Sequence, residues 1–464
     1  MTNLEKPAVE SDPDIDAAAA DEVGSIGDTD LATLASTAPV AGGTSDYVRN
    51  YIQRVRGGDM GSLPGITGLI VLVIFFSVAQ PSFHTVFNFG NMFTEGTGTI
   101  FIAMGLVFVL LLGEIDLAAG YTAGVCAAVM VRLMNGKNAP WGLSIGAALL
   151  TGIVIGFLIG WLRAKVRIPS FIVTLAFFLA FQGVMLYILN NGPGQHGDVK
   201  INDKVVLAFA NSSMPIWAGW TLGAVVIGGF AAVKVSAAMS RRRQGLAGEP
   251  AGVMGAKILV LAAVSLTLIY LLGLNRALNT TPTLQNVGGK FVKVYPPAVK
   301  GVPWVVPVLL VLFVLWTFLL GRTRYGRHLY AVGGNEEAAR RAGIPVDRIR
   351  ISVFVLSSFM AAVGGIMIGS NVSSVSEQNY GGNTLLLAVG AAVIGGTSLF
   401  GGKGRMIDAI IGGAVVEVIY NGTATLVHGP NGSSVQFIVT GLALLLAAAV
   451  DALSRRRAGS AGLA

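Results

Sequence analysis

The segment that comes nearest to a catalytic motif is the glycine-rich run GGTSLFGGKGR at residues 395–405. A phosphate-binding loop needs a glycine, four residues, and then Gly-Lys followed by Ser or Thr. Counting back from Gly402-Lys403 places Thr397 where the first glycine belongs, and Gly404 follows the lysine. The run therefore fails as a nucleotide site. It predicts instead a tight hinge on the cytoplasmic side, formed by Gly395, Gly396, Gly401, Gly402 and Lys403.

Other chemically active groups are sparse and scattered. The four histidines lie in different loops without metal-type spacing, and neither a zinc-protease motif nor a nucleophile elbow is present in a suitable context. The single cysteine, Cys126, lies in an apolar run, so a disulfide framework is excluded. The sequence predicts no enzyme, no metal site and no cofactor.

Two carboxylates, Glu114 and Asp116, lie between apolar runs in the segment GEIDLAAG at residues 113–120. A carboxylate at membrane depth is costly and indicates a functional site, here a motif with a gating role. At the membrane surface the same charges would cost little, and Asp116 would cap a helix beginning at Leu117. The sequence leaves both interpretations open.

Residues 323–351, TRYGRHLYAVGGNEEAARRAGIPVDRIRI, carry a full set of helix start and stop signals. An asparagine cap precedes two acidic residues, two arginines follow four residues later, and a glycine and a proline end the helix. A loop helix without a partner would not need such capping, so we favour a helix that docks on another protein over a solvated one. Its residues are Asn335, Glu336, Glu337, Ala338, Ala339, Arg340, Arg341 and Gly343.

The elements that position these motifs are membrane helices. Hydrophobic residues make up 53% of the 464 residues, charged residues only 12%, and mean hydropathy is +0.69. Soluble domains carry about 25% charged residues, and a spanning helix needs about 20 mostly apolar residues. Runs of this kind predict twelve segments, with ten as an alternative, at 62–79, 97–112, 117–135, 141–162, 170–188, 216–236, 256–274, 303–320, 350–369, 386–400, 406–427 and 435–451.

The sequence allows more than one interpretation of these segments. The runs at 97–112 and 386–400 are short and are interpreted as full spans or as re-entrant, broken helices. The five segments from 62 to 188 and the five from 303 to 451 would begin on opposite sides, which suggests two inverted blocks with an inserted pair between them. The correspondence is imperfect, because the short segment is second in one block and third in the other.

Basic residues give the orientation. Five basic clusters fall on the cytoplasmic side if the N-terminus starts there, as the positive-inside rule requires, whereas the basic loop at 275–302 does not fit. The clusters are at 163–167, 241–243, 322–350, 403–405 and 455–457. Both termini are then cytoplasmic in a multi-pass protein of the cytoplasmic membrane. Residues 1–46 hold ten of the 24 acidic residues and one lysine, so residues 1–61 are predicted to be a disordered acidic tail and pre-membrane segment. Residues 62–451 form the membrane domain, and 452–464 a basic tail.

Four motifs together resemble the ribose/xylose-type sugar permeases of ATP-binding-cassette (ABC) importers. They are GEIDLAAG (113–120), RIPSFIVTLA (167–176), GRHLYAVGGNEEAARRAGI (326–344) and VIGGTSLFGGKG (393–404), and they occur in the family's order. The extra pair of segments with RRRQGL (241–246) resembles the xylose-type branch. Ala119 and Tyr121 stand where that family usually has Val and Ser, the 275–302 loop is longer than usual, and the acidic tail is not a family feature.

The resemblance implies an all-α permease domain, a polytopic helical bundle, with a coupling loop at 321–350 that docks on an ABC ATPase. It further implies an extracytoplasmic sugar-binding protein, a permease homodimer and a monosaccharide substrate, xylose-like or another simple sugar, but not nucleic acid. The alternatives are a secondary transporter driven by an ion gradient, which would need more charge within its spans than Glu417 and Lys234 supply, and an ABC permease for branched-chain amino acids. Gln182, Tyr187, Asn190 and Asn191 could hydrogen-bond a sugar, but nothing in the sequence distinguishes them from packing residues.

Overall fold

The computed structural model describes residues 45, 47, 49, 52, 53, 61–192, 196–245, 249–277, 283–287, 290–294, 298–427 and 432–460. The predicted disordered tail lies almost entirely outside the described residues. Within them the fold is all-α, as predicted. Its helices are α1 Leu63–Ala79, α2 Val86–Leu111, α3 Ala119–Lys137, α4 Trp141–Trp161, α5 Ser170–Asn190, α6 Lys204–Asn211, α7 Ile216–Arg243, α8 Ala251–Gly273, α9 Val305–Arg322, α10 Arg324–Gly334, α11 Glu336–Arg341, α12 Val346–Val372, α13 Gly382–Gly395, α14 Met406–Leu426 and α15 Gly432–Ser460.

Each of the twelve predicted segments overlaps one of these helices. Eight described helices are long and apolar enough to cross a membrane, and the shorter apolar helices include α1 and residues 434–449 of α15. The segment predicted at 97–112 was too short, because α2 begins at Val86 and has 26 residues, which is long enough for a full span. The hydrophobic pattern does not predict the first three turns of α2, because polar residues such as Asn91 and Glu95 interrupt it. The other short segment, α13, has 14 residues and is about 21 Å long, less than a bilayer core of about 30 Å.

Close helix crossings form the centre of the bundle, where α2, α4 and α12 meet. A Cβ on Gly105 would lie 2.8 Å from the Ser357 carbonyl oxygen of α12. Gly152 and Gly160 of α4 approach the same helix equally closely, at 2.7 Å from the Ser358 oxygen and 2.8 Å from Ile351 Cα. The glycines of α4 recur every four residues at 152, 156 and 160, and this glycine face is therefore a packing face. Small residues allow the backbones to approach as they do in membrane bundles.

Two linkers enter the bundle instead of staying at its surface. Residues 112–118 follow α2 and lead into α3, and residues 373–381 follow α12 and lead into α13. The second linker pairs briefly with residues 199–200, through strands β1 Val199–Lys200 and β4 Ser374–Val375, before it turns inward. The second linker lies against the start of α3, because a Cβ on Gly120 would overlap the carbonyl oxygen of Gly381.

The chain divides into two compact units, residues 1–53 with 227–262, and residues 54–226 with 263–464. In the first unit Glu249 pairs with Lys234, at 3.5 Å, and with Lys257. The Lys257 ammonium also lies 5.5 Å from the centre of the Tyr47 ring. Ion pairs and a cation–π contact therefore connect the segments of this unit with one another. All of the motif regions lie in the second unit.

The basic loop at 275–302 is only partly described. It contains a hairpin of strands β2 Thr283–Val287 and β3 Lys290–Val294, whose side chains lie outside the described residues. Arg276 is buried and donates hydrogen bonds to the Gly301 carbonyl (2.7 Å) and Ser213 Oγ (2.9 Å). Arg276 is therefore buried in the protein. It does not count as a solvated loop residue under the positive-inside rule, so the misfit of this loop is smaller than its charge suggests.

Candidate functional site

The short helix α11 has the local structure that its sequence predicts. Asn335 Oδ1 accepts a hydrogen bond from the Ala338 amide at 2.9 Å, and Glu336 and Glu337 occupy the first turn. Each acid pairs with the arginine four residues later, Glu336 with Arg340 at 2.9 Å and Glu337 with Arg341 at 3.2 Å. Both pairs face solvent, so they orient the helix surface more than they stabilise it.

The end of α11 is a complete Schellman motif. The Ile344 amide donates to the Ala339 carbonyl and the Gly343 amide to the Arg340 carbonyl, each at 3.0 Å. Gly343 has φ +78°, the left-handed conformation in which a Cβ is strained, and Pro345 follows it. The six-residue helix therefore has a fixed length and direction.

One apolar contact and one ion pair hold α11 on the bundle. Ala339 is buried with Val332 of α10 and Val346 of α12. On the same side, Glu336 Oε2 accepts a hydrogen bond from Arg350 Nη2 at 2.7 Å. Burial raises the pKa of Glu336, but the hydrogen bonds and charges of Arg350 and then Arg340 outweigh it, so the net pKa is lowered and the group is ionised at neutral pH.

An ion-pair network with a buried centre connects α11 to the GEIDLAAG segment. We call the four residues Glu114, Arg163, Arg350 and Glu336 the arginine network. Glu114 accepts two hydrogen bonds from Arg163 Nε, both at 2.9 Å, and its Oε1 lies 2.8 Å from Arg163 Nη2. Arg350 Nε lies 2.8 Å from the same Oε1, as an ion pair whose geometry falls short of a hydrogen bond. The side chains of Glu114 and Arg350 are each only 7% exposed, so little water screens the two charges.

Asp116 lies deeper in the bundle than Glu114. Its Oδ2 accepts a hydrogen bond from Ser357 Oγ at 2.9 Å, and its Oδ1 accepts one from the Ala118 amide at 3.0 Å. Ser357 is the twelfth residue of α12, about 17 Å along that helix from its first residue. Glu114 and Asp116 are therefore both buried within the protein, and their gating role stays a prediction. Helix α3 begins at Ala119, two residues later than predicted, because residues 112–118 first turn into the bundle.

The same linker binds the start of α5, which carries the motif RIPSFIVTLA. The Ile115 amide donates to Ser170 Oγ at 3.3 Å, and Thr174 Oγ1 donates to the Ile115 carbonyl at 3.2 Å. Two of the four motifs are thus joined directly through their polar atoms.

The glycine-rich run closes the same end of the bundle. The Gly402 amide donates to the Leu111 carbonyl at 2.9 Å, and Tyr330 of α10 donates its hydroxyl proton to the Gly404 carbonyl at 2.7 Å. Gly396, Gly401, Gly402 and Gly404 all have positive φ, whereas Gly395 abuts the backbone of Asp408 and Lys403 is exposed. The structure thus gives a tight turn here, and the predicted hinge role remains a prediction.

All four motifs therefore meet at the end of the bundle that carries α10 and α11. The sequence interpretation missed the partners of Glu114: Arg163 was assigned only to a basic cluster, and Arg350 to the edge of a loop. One signal was available, since Arg350 opens the predicted segment 350–369, which has no other charged residue, and a charge there needs a partner. Among the described residues no group of three His, Cys, Asp or Glu could hold a metal ion.

Comparisons with known proteins give the same assignment over most of the chain. Residues 88–448 match the family described as branched-chain amino acid transport system / permease component. The xylose transport system permease protein XylH of Escherichia coli K12 is 31% identical over 393 residues, which is 84% of this chain and 92% of that one. The Haemophilus influenzae protein of the same name is 30% identical over 395 residues, 84% and 96% of the two chains.

A second group of relatives carries a different sugar in its name. The ribose import permease protein RbsC of Escherichia coli K12 is 28% identical over 386 residues, 83% of this chain and 92% of that one. No solved structure matches the chain. The relatives are thus transport permeases over nearly their full lengths.

Proposed function

This chain belongs to the transport-system permease family that residues 88–448 match, and on that premise we propose that it is the membrane-spanning subunit of an ABC importer. It forms the translocation pathway for a monosaccharide, xylose-like or another simple sugar, across the cytoplasmic membrane. ATP is hydrolysed by a separate ABC ATPase subunit, because the Gly402-Lys403 sequence lacks the frame of a phosphate loop.

The observation that carries this proposal is the attachment of α11 to the interior of the bundle. Glu337 and Arg341 of α11 have side chains that are 66% and 79% exposed, which leaves one face free for a partner. The opposite face reaches the buried Glu114 through Arg350. A displacement of α11 by an ATPase would be transmitted directly to the linker between α2 and α3. We assign the ATPase-coupling role to Asn335, Glu336, Glu337, Ala338, Ala339, Arg340, Arg341 and Gly343, and the gating role to Glu114, Asp116, Gly395, Gly396, Gly401, Gly402 and Lys403.

The remaining partners follow from the same proposal. The ATPase lies on the cytoplasmic side, so α10 and α11 face the cytoplasm, and both termini are cytoplasmic. An extracytoplasmic sugar-binding protein delivers the substrate to the opposite face. Two ATPase subunits need two coupling helices, and one chain supplies a single α11, so the permease is a homodimer embedded in lipid.

Sugar is favoured over a branched-chain amino acid by the names of the relatives, which are xylose and ribose permeases. An ion-driven mechanism is less favoured, because it would leave the two-sided attachment of α11 without a purpose. The test is reconstitution of the chain in liposomes with its ATPase and binding protein, followed by uptake of labelled xylose, ribose and leucine. We expect ATP-dependent uptake of a sugar. Uptake of leucine alone, or uptake driven by an ion gradient without ATP, would contradict the proposal.

The coupling role predicts that Gly343→Val abolishes transport at normal membrane levels. No atom lies within 4 Å of a Cβ built on Gly343, so the damage comes only from the left-handed backbone. That conformation costs a residue with a Cβ about 1–2 kcal/mol, enough to change the direction of α11 but not to unfold the bundle. Sugar uptake and stimulation of the ATPase by loaded binding protein should both be lost.

The matched control is Gly343→Asn, because asparagine enters the left-handed region more readily than valine. This variant should retain most of the uptake. If Gly343→Val imports sugar as fast as wild type at equal membrane levels, α11 is not the coupling element.

A further inference from the structure

The linker at 373–381 places a polar and aromatic cluster inside the bundle. Tyr380 donates its hydroxyl proton to the Gly365 carbonyl at 2.8 Å, and Gly365 lies seven residues before the end of α12. The linker has therefore descended about 10 Å below the end of α12. From this depth α13 runs toward the end of the bundle that carries α10 and α11.

Glu377 is the centre of this cluster, in a 3-10 turn formed by Glu377–Asn379. Its Oε1 accepts hydrogen bonds from Gln182 Nε2 of α5 at 2.9 Å and from the Tyr121 hydroxyl of α3 at 3.2 Å. The Tyr121 ring packs edge-on against Phe178, with 4.7 Å between the ring centres. Two helices, α3 and α5, thus direct polar or aromatic side chains to the carboxylate of this linker.

The partners of Glu377 leave its charge uncompensated. No described Lys or Arg forms an ion pair with it, in contrast to Glu114. Its Oε2 accepts no hydrogen bond from any residue of the described ranges. The side chains of Glu377 and Gln182 are half-buried, so a ligand can reach them. A carboxylate within a membrane bundle is costly, and neutral partners offset that cost only in part. A carboxylate oxygen that accepts no hydrogen bond from the protein, beside a half-buried amide, is suited to accept hydrogen bonds from the hydroxyl groups of a ligand.

A packing role alone does not account for this arrangement. Glu377 does not cap α13, whose N-cap is Gly381 and which has no side-chain cap. The turn at Gly381 has φ +87°, and a Cβ there would lie 2.5 Å from the Tyr121 ring, so the backbone is pressed against that ring. The segment is held in place by Tyr380 and Gly381, and neither contact needs the Glu377 carboxylate.

We propose that Glu377, Gln182 and Tyr121, with the Phe178 ring beside them, form a sugar-contacting site within the translocation pathway. The inference rests on the proposed function. The hydroxyl groups of a neutral polyhydroxylated ligand donate hydrogen bonds to Glu377 Oε2, because hydrogen bonds to a charged acceptor are the stronger kind. The ring pair offers an apolar surface for the C–H face of the sugar. Gln182, which the sequence could not distinguish from packing residues, is thereby singled out by the carboxylate it contacts.

The test measures how many sugar molecules enter per ATP hydrolysed in the reconstituted complex. We expect Glu377→Gln, which keeps the shape but removes the charge, to lower this ratio about tenfold, the range for losing a charged hydrogen bond. The matched control is Asp198→Asn, which removes one acidic charge from an exposed position outside the cluster and should leave the ratio unchanged. A ratio equal to that of wild type in Glu377→Gln would overturn the site.

The wild-type arm separates the two proposals. If wild type imports no sugar, the proposed function fails. If wild type imports sugar and the variant matches it, only the site fails. A parallel fall of uptake and ATP hydrolysis leaves the ratio unchanged, and it would assign Glu377 to the structure instead of the pathway. Should Glu377→Gln not reach the membrane, Gln182→Leu decides, because this half-buried neutral side chain can be replaced at similar volume, and it too is expected to lower the ratio.

Discussion

Glu114→Gln is expected to destabilise the folded protein strongly and to abolish transport. The variant removes the charge of the carboxylate that pairs with both Arg163 and Arg350. Arg350 then keeps Glu336 as its only acidic partner among the described residues, and Arg163 loses its acidic partner. Breaking a buried ion pair by removing one partner costs about 3–5 kcal/mol, because the remaining charge stays buried without compensation. The measurement is the thermal unfolding midpoint of the detergent-solubilised protein, together with sugar uptake in liposomes.

The matched control is Asp347→Asn at the same end of the bundle. Asp347 pairs with Lys165 at 3.1 Å and joins the same two regions, the turn at 162–166 that follows α4 and the start of α12. The side chains of Asp347 and Lys165 are 32% and 55% exposed. An exposed pair contributes about 0–1 kcal/mol, so this variant should unfold near the wild-type temperature. Equal midpoints for the two variants would show that the arginine network does not hold this end of the bundle together.

Features encoded by neighbouring residues were predictable from the sequence. The cap at Asn335, the acid–arginine pairs and the end at Gly343 all depend on residues within eight positions of one another, and the structure has each of them. The glycine face of α4 was likewise predictable from its four-residue spacing. In both cases the signal lies within one helical element.

Features that depend on distant residues were not predictable. Glu114 and Arg350 are 236 positions apart, and neither carries a mark that identifies the other. Similarly, Tyr121, Gln182 and Glu377 come from three segments, and nothing in the spacing of a lone acid predicts a linker that turns inward. The length of α2 was missed because its polar first turns resemble a loop.

The full length of α2 bears on the predicted repeat. The two five-segment blocks disagreed because a short segment was second in one and third in the other. With α2 at 26 residues and α12 at 27, each block now has a long helix, an inward linker and then its third segment, α3 or α13. The underestimated helix accounts for the short second segment, whereas α13 is still shorter than α3, with 14 residues against 19. The inverted repeat itself remains a prediction.

Gly395→Ala is expected to prevent α13 and α14 from packing, with loss of most of the folded protein. A Cβ on Gly395 would overlap the Asp408 carbonyl oxygen, and a Cβ on Gly412 would overlap that of Ala391, so both contacts are with backbone and cannot be relieved by a side-chain rotation. Added atoms in a packed core commonly cost about 1–3 kcal/mol, and a clash with backbone belongs at or above the upper end. The yield of monodisperse protein after solubilisation and its unfolding midpoint should both fall.

The control for this variant is Gly146→Ala in α4. No atom lies within 4 Å of a Cβ built there, and replacing glycine by alanine inside a helix is favourable by up to about 1 kcal/mol. The control should therefore be neutral or slightly stabilising, and the same substitution gives opposite signs at the two sites. A stable Gly395→Ala protein would mean that α13 and α14 lie farther apart than the structure has them, and the glycine-rich turn would lose its rigid support. Damage from Gly146→Ala would instead show that this open face of α4 is covered in the membrane by another helix, as the proposed homodimer allows.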